Sequence, residues 1–193
     1  MKHLIKIVMT DPAETGDPTG IVGIQGNLAT RQVHVLLAKQ ITDKDKKLRL
    51  FNTFSFLSKV RDTIKPDFMG MEGNNDGKEI IKKLQSKGLI LKKITTSSNL
   101  TDKTTRRGFA MDKPKMVDWL KKQKIKHNIL FPPETKGDME ELIDQIPQIV
   151  SIRTLTGGTS HRAQRGRHDD LFMALLLCCH VFLLYLARWD SLS

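Results

Sequence analysis

Cysteine is nearly absent from these 193 residues: the two present, Cys178 and Cys179, are neighbours inside an apolar run. Adjacent cysteines make poor structural disulfides, and two thiols alone do not complete a zinc site. A disulfide-stapled scaffold and a thiolate metal centre are therefore excluded, and small buried residues in a reducing compartment are expected. No Gly-Lys-Ser/Thr sequence occurs in the frame of a phosphate-binding P-loop, which sets that class of nucleotide hydrolase aside. Internal repeats are lacking, and the N-terminus runs straight into a strand-like pattern without the marks of a signal peptide. Acidic residues are outnumbered: 32 Lys and Arg face 21 Asp and Glu, a net charge of +11. Between Asp76 and His127 the ratio is 15 to 5, which leaves 17 to 16 elsewhere and puts nearly the whole excess in one segment. Such a face suits a polyanion such as DNA or RNA, with a solvated lysine surface as the bland alternative. Aromatics are scarce there, with only Phe109 and Trp119 nearby. That scarcity argues against base stacking and for contact with a duplex backbone.

What the chain does have is three acidic positions far apart, each at the end of an apolar segment. Asp11 closes the strand-like run Leu4 to Thr10, and Glu72 closes Pro66 to Met71. Asp169 and Asp170 open a long apolar helix beginning at Leu171. Carboxylates are costly to bury without a partner, and three able to converge from separate elements suit a cage for hard divalent cations. A bland alternative stands beside this for the aspartate pair, because one of the two can simply cap the helix.

Strands are expected at 4–11, 21–25 and 31–41, a three-stranded meander punctuated by Gly and Pro. A helix over 43–65 follows, with Leu48, Phe51, Phe54, Leu57 and Val60 as its buried face. The strand ending at Glu72 leads through a glycine-rich turn to a helix with Ile80, Ile81 and Leu84 inward and Lys78, Lys82, Lys83 and Lys87 in water. Gly88 stops it. A strand at 89–94, a basic loop at 95–108, a helix opening at Pro114, an acidic helix at 138–146 and the helix from Leu171 complete the order. One domain over 1–193 is expected, with a basic hairpin or loop at about 151–167. This is an α/β chain whose mixed sheet joins an antiparallel meander to parallel strands flanked by helices, in the order of the ribonuclease H-like fold.

Leu171 to Ala187 is the one membrane candidate, apolar apart from His180. It falls short of the roughly 20 residues that a span requires and follows two aspartates, so a buried core helix is expected instead, with no membrane. Its first stripe, Leu171, Ala174, Leu175 and Cys178, is expected to pack on the sheet. Its far end, Phe182 to Trp189, is expected to stay partly exposed and to favour self-association.

Four stretches resemble the C-terminal nuclease domain of the large terminase subunit of tailed viruses. They are Thr10-Asp11-Pro12-Ala13-Glu14-Thr15-Gly16-Asp17, Glu72-Gly73-Asn74-Asn75-Asp76-Gly77, Arg107 to Met116 with its Lys113-Pro114, and Gly166-Arg167-His168-Asp169-Asp170-Leu171-Phe172-Met173-Ala174-Leu175. The likeness runs in order over the whole chain; the ATPase half that precedes this domain in whole terminase subunits is missing from it. The resemblance implies a metal-dependent endonuclease that cuts concatemeric viral DNA during genome packaging, in the cytoplasm of the infected host cell. A Holliday-junction resolvase or ribonuclease H of the same fold, and a non-catalytic basic DNA-binding module, are the alternatives.

In that reading two Mg²⁺ or Mn²⁺ ions are held by carboxylates. Asp11 bridges both, Glu72 holds one, and Asp169 or Asp170 completes the other. Asp17 is either a further acidic group near the metals or a turn residue before Pro18. His168 takes a secondary role toward water or phosphate, or is surface. Arg106, Arg107, Lys113, Lys115, Arg162, Arg165 and Arg167 are the expected contacts to double-stranded DNA. The implied partners are the ATPase motor domain, the portal and the small terminase subunit.

Overall fold

A computed structural model describes residues 3–13, 17–74, 77–97, 109–153, 159–163 and 168–191. Strands β1 (Leu4–Asp11), β2 (Thr19–Asn27) and β3 (Gln32–Ile41) form the expected meander, followed by α1 (Lys46–Ile64) and β4 (Phe68–Glu72). Then come α2 (Gly77–Gln85), β5 (Lys92–Ser97), β6 (Phe109–Asp112), α3 (Lys113–Ile125) and β7 (Ile129–Leu130). Helix α4 (Asp138–Gln145), a short 3-10 turn, β8 (Ile149–Arg153), β9 (Thr159–Ala163) and α5 (Asp170–Asp190) close the order. Seven strands make one sheet in the order β6-β5-β4-β1-β2-β3-β7. Strand β2 is antiparallel to both its neighbours, while β1, β4, β5 and β6 run parallel to one another. Strands β8 and β9 form a separate antiparallel hairpin, where a hairpin or loop is expected.

Alternation along the strands divides the core between two faces. Ile5, Ile7, Met9, Val22, Ile24, Phe68, Ile94 and Met111 pack with α3, α4 and α5. Val8, Ile21, Met69 and Met71 face the other way, onto Leu57 and Val60 of α1 and Ile81 and Leu84 of α2. Helix α5 is long and apolar enough to cross a membrane, yet most of that span is buried against the sheet. It lies along β2, because two glycines on the same face leave room for it. A Cβ at Gly20 would stand 2.3 Å from the Asp170 carbonyl oxygen, and one at Gly26 would stand 2.3 Å from the Phe182 ring. The stripe Leu171, Ala174, Leu175 and Cys178 is fully buried, and the Cys178 thiol lies 3.2 Å from the Val22 carbonyl. Both cysteines are free, and burial pushes their thiols up.

Several expectations are corrected. Leu48 and Phe51 are 48% and 56% exposed, and Arg49 and Thr53 take the inner face of α1 with Leu57 and Val60. A repeated step of three residues drifts round a helix of 3.6 per turn, so the stripe rotates outward toward its N-terminal end. The strand expected at 89–94 lies at Lys92–Ser97, so the segment read as a loop from Thr95 begins in a strand. The far end of α5 is partly exposed, as expected, although Phe182 is buried over Gly26 and Trp189 stacks at a tilt on His3, 4.9 Å between rings. Only Leu184, 39% exposed, remains there as a large exposed hydrophobic among the described residues, so the expected self-association surface is small.

Gly26→Ala should destabilise the fold by about 1–3 kcal/mol through forced displacement of the Phe182 ring. Gly23→Ala, on the opposite face and meeting the Leu37 side chain at 3.0 Å and a Val8 methyl at 3.4 Å, should cost less. Urea unfolding of both variants checks the order, and equal losses would contradict the seating of α5 on β2.

Candidate active site

Strand parity brings the acidic residues to one place. Asp11 shares the face of Ile7 and Met9, and Glu72 that of Phe68. Both stand at the carboxyl ends of parallel neighbouring strands, the edge at which open α/β sheets collect their ligands. Their carboxyl groups lie close enough to oppose each other's charge, which raises Asp11. Thr96, at the same end of β5 and on the same face, donates its hydroxyl to Glu72 Oε1. Asn74 Nδ2 donates to the same oxygen at 2.9 Å, and also lies 3.0 Å from the Thr96 carbonyl and 2.6 Å from its Oγ1. Glu72 is thereby oriented from two sides.

The start of α5 supplies the rest. Asp11 pairs across the sheet with Gly20, the glycine on which the Asp170 backbone sits. Asp170 therefore faces Asp11, and its Oδ2 is buried without a hydrogen-bond partner. Neither aspartate is needed as a cap: Asp169 occupies the N-cap position, but its side chain makes no cap bond. Gln145, fully buried on α4, accepts the Phe172 N–H through Oε1 at 3.0 Å. Its Nε2 donates to Glu141 Oε1 at 3.2 Å, which fixes the amide. The capping alternative for the aspartate pair is thus displaced by a residue from another helix.

Asp169 Oδ2 stands 3.8 Å from Lys113 Nζ. His168 is exposed, with Nδ1 3.4 Å from Asp17 Oδ1 and 4.0 Å from Asp170 Oδ2, so it links Asp17 to the cluster. Burial first, then the close approach of Glu72 and the charges of Glu72, Asp170 and Asp169, hold the Asp11 carboxyl well above the usual carboxylate range. Burial and the Asp169 charge push Asp170 up to about 7, against the pull of His168 and its own backbone N–H. Inside the same core, burial lowers the His180 imidazole despite a hydrogen bond to the Ala110 backbone.

The basic residues divide. Lys113 opens α3 beside the carboxylates, so its nearest partner is Asp169. Lys115 is exposed and lies 3.2 Å from Asp112, whose carboxylate also caps α3 at the Lys115 N–H. Arg162 is placed on β9, opposite Val150. Arg106, Arg107, Arg165 and Arg167 lie outside the described residues.

No family model matches the chain, and no curated protein matches it by sequence. Solved structures do match. The large terminase nuclease from thermophilic phage G20c superposes with a TM-score of 0.64 at 16% identity, over 91% of this chain and 81% of that one. This chain has the fold of a large terminase nuclease domain. The terminase nuclease domain of bacteriophage SPP1, solved with bound manganese, gives 0.58 at 11% identity over 92% and 85%. That of human cytomegalovirus, soaked with manganese and bound to an inhibitor, gives 0.55 at 16% over 93% and 84%. The phage G20c nuclease has also been solved with magnesium and with cobalt. The terminase-nuclease fold is ribonuclease H-like, as the order of elements leads one to expect.

Sequence reasoning missed Thr96 and Gln145, and quoted Asn74 without giving it a role. Thr96 was hidden because the sequence from Thr95 onward reads as a polar, basic loop beyond the strand expected at 89–94. That the strand continues to Ser97 is recognisable only once it lies parallel to β4 and β6. The signal available for Gln145 was an amide at the inward end of an acidic helix, just before Pro147.

Asp11 and Asp170 hold their protons more tightly folded than unfolded. As pH rises above about 4 the unfolded chain releases these protons first, so their contribution to stability falls until Asp170 itself ionises near pH 7. In EDTA, Asp170→Asn should therefore gain stability relative to the parent between pH 4 and 7. Chemical denaturation across that range checks this, and a constant difference would contradict the environment described for Asp170.

Proposed function

We propose that this chain is a divalent-metal-dependent DNA endonuclease that cuts concatemeric viral DNA during genome packaging. One observation carries the reading: Asp11, Glu72 and Asp170, from three distant segments, meet at one edge of the sheet, and a buried Asp170 oxygen lacks any hydrogen-bond partner. Among the described residues no three acidic or histidine side chains stand, as they are, around one point at ligand distance. The Thr96 and Asn74 contacts hold Glu72 Oε1 on neighbouring side chains instead. The donor set nevertheless fits hard cations, since it offers only carboxylate oxygens, and a cation would displace the protons that Asp11 and Asp170 hold. Asp11 would bridge two Mg²⁺ or Mn²⁺ ions, with Glu72 on one and Asp169 or Asp170 on the other. Bound there, the pair supplies an activated water and stabilisation of the leaving 3′ oxygen.

The chain's own residues do the positioning. Thr96 and Asn74 fix the rotamer of Glu72, and Gln145 holds the start of α5 so that Asp170 faces Asp11. Lys113 offsets the charge of Asp169. Lys115, Arg106, Arg107, Arg162, Arg165 and Arg167, together with Lys113, contact the phosphates of double-stranded DNA, and His168 and Asp17 order the solvent at the mouth. The setting is the cytoplasm of an infected cell, with an ATPase motor domain, a portal and a small terminase subunit as partners.

Asp11→Asn should reduce Mn²⁺-dependent plasmid cleavage to the EDTA background while leaving the folded state and DNA binding nearly intact. Parallel assays with EDTA, Mg²⁺ and Mn²⁺ test it, and cleavage that persists in the variant refutes the role of Asp11. Replacing Arg106, Arg107, Lys113 and Lys115 together with Ala should weaken binding to all sequences alike. For every phosphate that is no longer neutralised, the log–log salt dependence should flatten by roughly 0.9. An unchanged slope would move the DNA onto the hairpin segment.

A further inference from the structure

On the opposite face of the sheet, at the same edge as the carboxylates, lies a cavity of about 190 Å³ between the N-terminal halves of α1 and α2. Its sheet wall is Pro12, Ala13 and Thr19, the residues that flank Asp11 and its cross-strand partner Gly20. Arg49 forms its floor and is only 5% exposed. Arg49 Nε donates to the Asp43 carbonyl at 2.6 Å, and Nη1 reaches the Ala13 carbonyl at 3.4 Å. These bonds use two of five N–H donors and neutralise no charge. Among the described residues, no carboxylate stands within ion-pair distance of Arg49. A buried guanidinium is costly unless its charge is met, none of the described carboxylates meets it, and this one borders an open space. Lys46 and Lys83 extend from α1 and α2 at the same rim, against a single carboxylate, Glu79. The buried hydroxyl-bearing side chains of Thr19 and Thr53 complete a lining able to donate hydrogen bonds.

We infer that this cavity is a phosphate subsite: it takes a backbone phosphate of the nucleic-acid strand that passes over the sheet edge to the carboxylates, an assignment that rests on the nuclease reading above. The chemistry is that of a phosphate monoanion met by a planar guanidinium fork and two ammonium groups. The position explains why the charge of Arg49 is kept inside. Its Ala13 contact ties the subsite to the segment that follows Asp11, so a strand held here is held in register with the catalytic edge. Polar backbone contacts of this kind position a duplex without reading its sequence.

The test is equilibrium binding of a fluorescent DNA duplex in EDTA over a salt series, with Lys83→Ala, Arg49→Lys and Lys82→Ala beside the parent protein. Lys82 is exposed on the same helix and does not line the cavity. Lys83→Ala should flatten the log–log salt slope by about 0.9, more than Lys82→Ala does. Arg49→Lys keeps the charge and loses the fork, so affinity should fall on the order of tenfold with the slope unchanged. Millimolar inorganic phosphate, added at constant ionic strength, should compete in the parent and much less in Lys83→Ala. Lys83→Ala indistinguishable from Lys82→Ala, in slope and in phosphate competition, overturns the subsite even if Arg49→Lys fails to fold. Competition by phosphate without any change in the DNA salt slope would make the cavity a site for free phosphate and overturn the assignment to the strand. A parent protein that binds no DNA at all removes the nuclease reading itself, a different failure from a parent that binds while Lys83→Ala changes nothing.

Discussion

The close approach of α5 to β2 is the contact on which the site depends. Backbone from the helix start lies where a side chain at position 20 would be, and an aromatic ring lies where one at position 26 would be. Six residues of strand and twelve of helix cover about the same length, roughly 20 Å and 18 Å, so the two elements stay in step. The helix is thereby fixed lengthwise as well as sideways. Because Gly20 is also the cross-strand partner of Asp11, the same contact that packs the core sets the distance between Asp11 and Asp170.

That arrangement works against stability where the carboxylates meet. Asp11 and Asp170 have raised pKa values because burial and neighbouring carboxylate charge oppose ionisation. The cluster persists because the elements carrying it are committed elsewhere: β1 and β4 to the centre of a seven-stranded sheet, and α5 to a fully buried stripe. Gln145 removes a further conflict. With the Phe172 N–H satisfied from α4, Asp169 is released from capping and meets Lys113 instead. A carboxylate that is not spent on its own helix is free to serve a cation.

The positive charge of the chain is arranged around this acidic centre. Lys113 lies beside it, while Lys46 of α1 and Lys83 of α2 line the cavity on the far side of the sheet edge, where Arg49 lies beneath. Repulsion between carboxylates and a phosphate backbone is a barrier that cations at the centre and basic residues around it lower together. Acidic core and basic surround are two parts of one electrostatic arrangement for holding a polyanion against its own charge.

The linear pattern determined most element types and the ends of the two strands that carry Asp11 and Glu72. Period-two runs ending in Asp11 and Glu72, and a long apolar run opened by Asp169-Asp170, are local signals that need no tertiary information. Alternation from Met9 to Asp11 even predetermines which face the first carboxylate takes. The chain alone placed the strand after α2 three residues early and did not reveal β6: the lysines and threonines of β5 carry no alternation, and short strands exist by pairing rather than by propensity. Nor did it give the partners of Glu72, the cap supplied by Gln145 or the inward turn of Arg49. The Thr96–Glu72, Gln145–Phe172 and Arg49–Ala13 contacts join residues 24, 27 and 36 positions apart, and the turn of Arg49 depends on how far a helix has rotated when it meets the sheet. Sequence periodicity fixes which residues share a face, and only packing decides what that face meets.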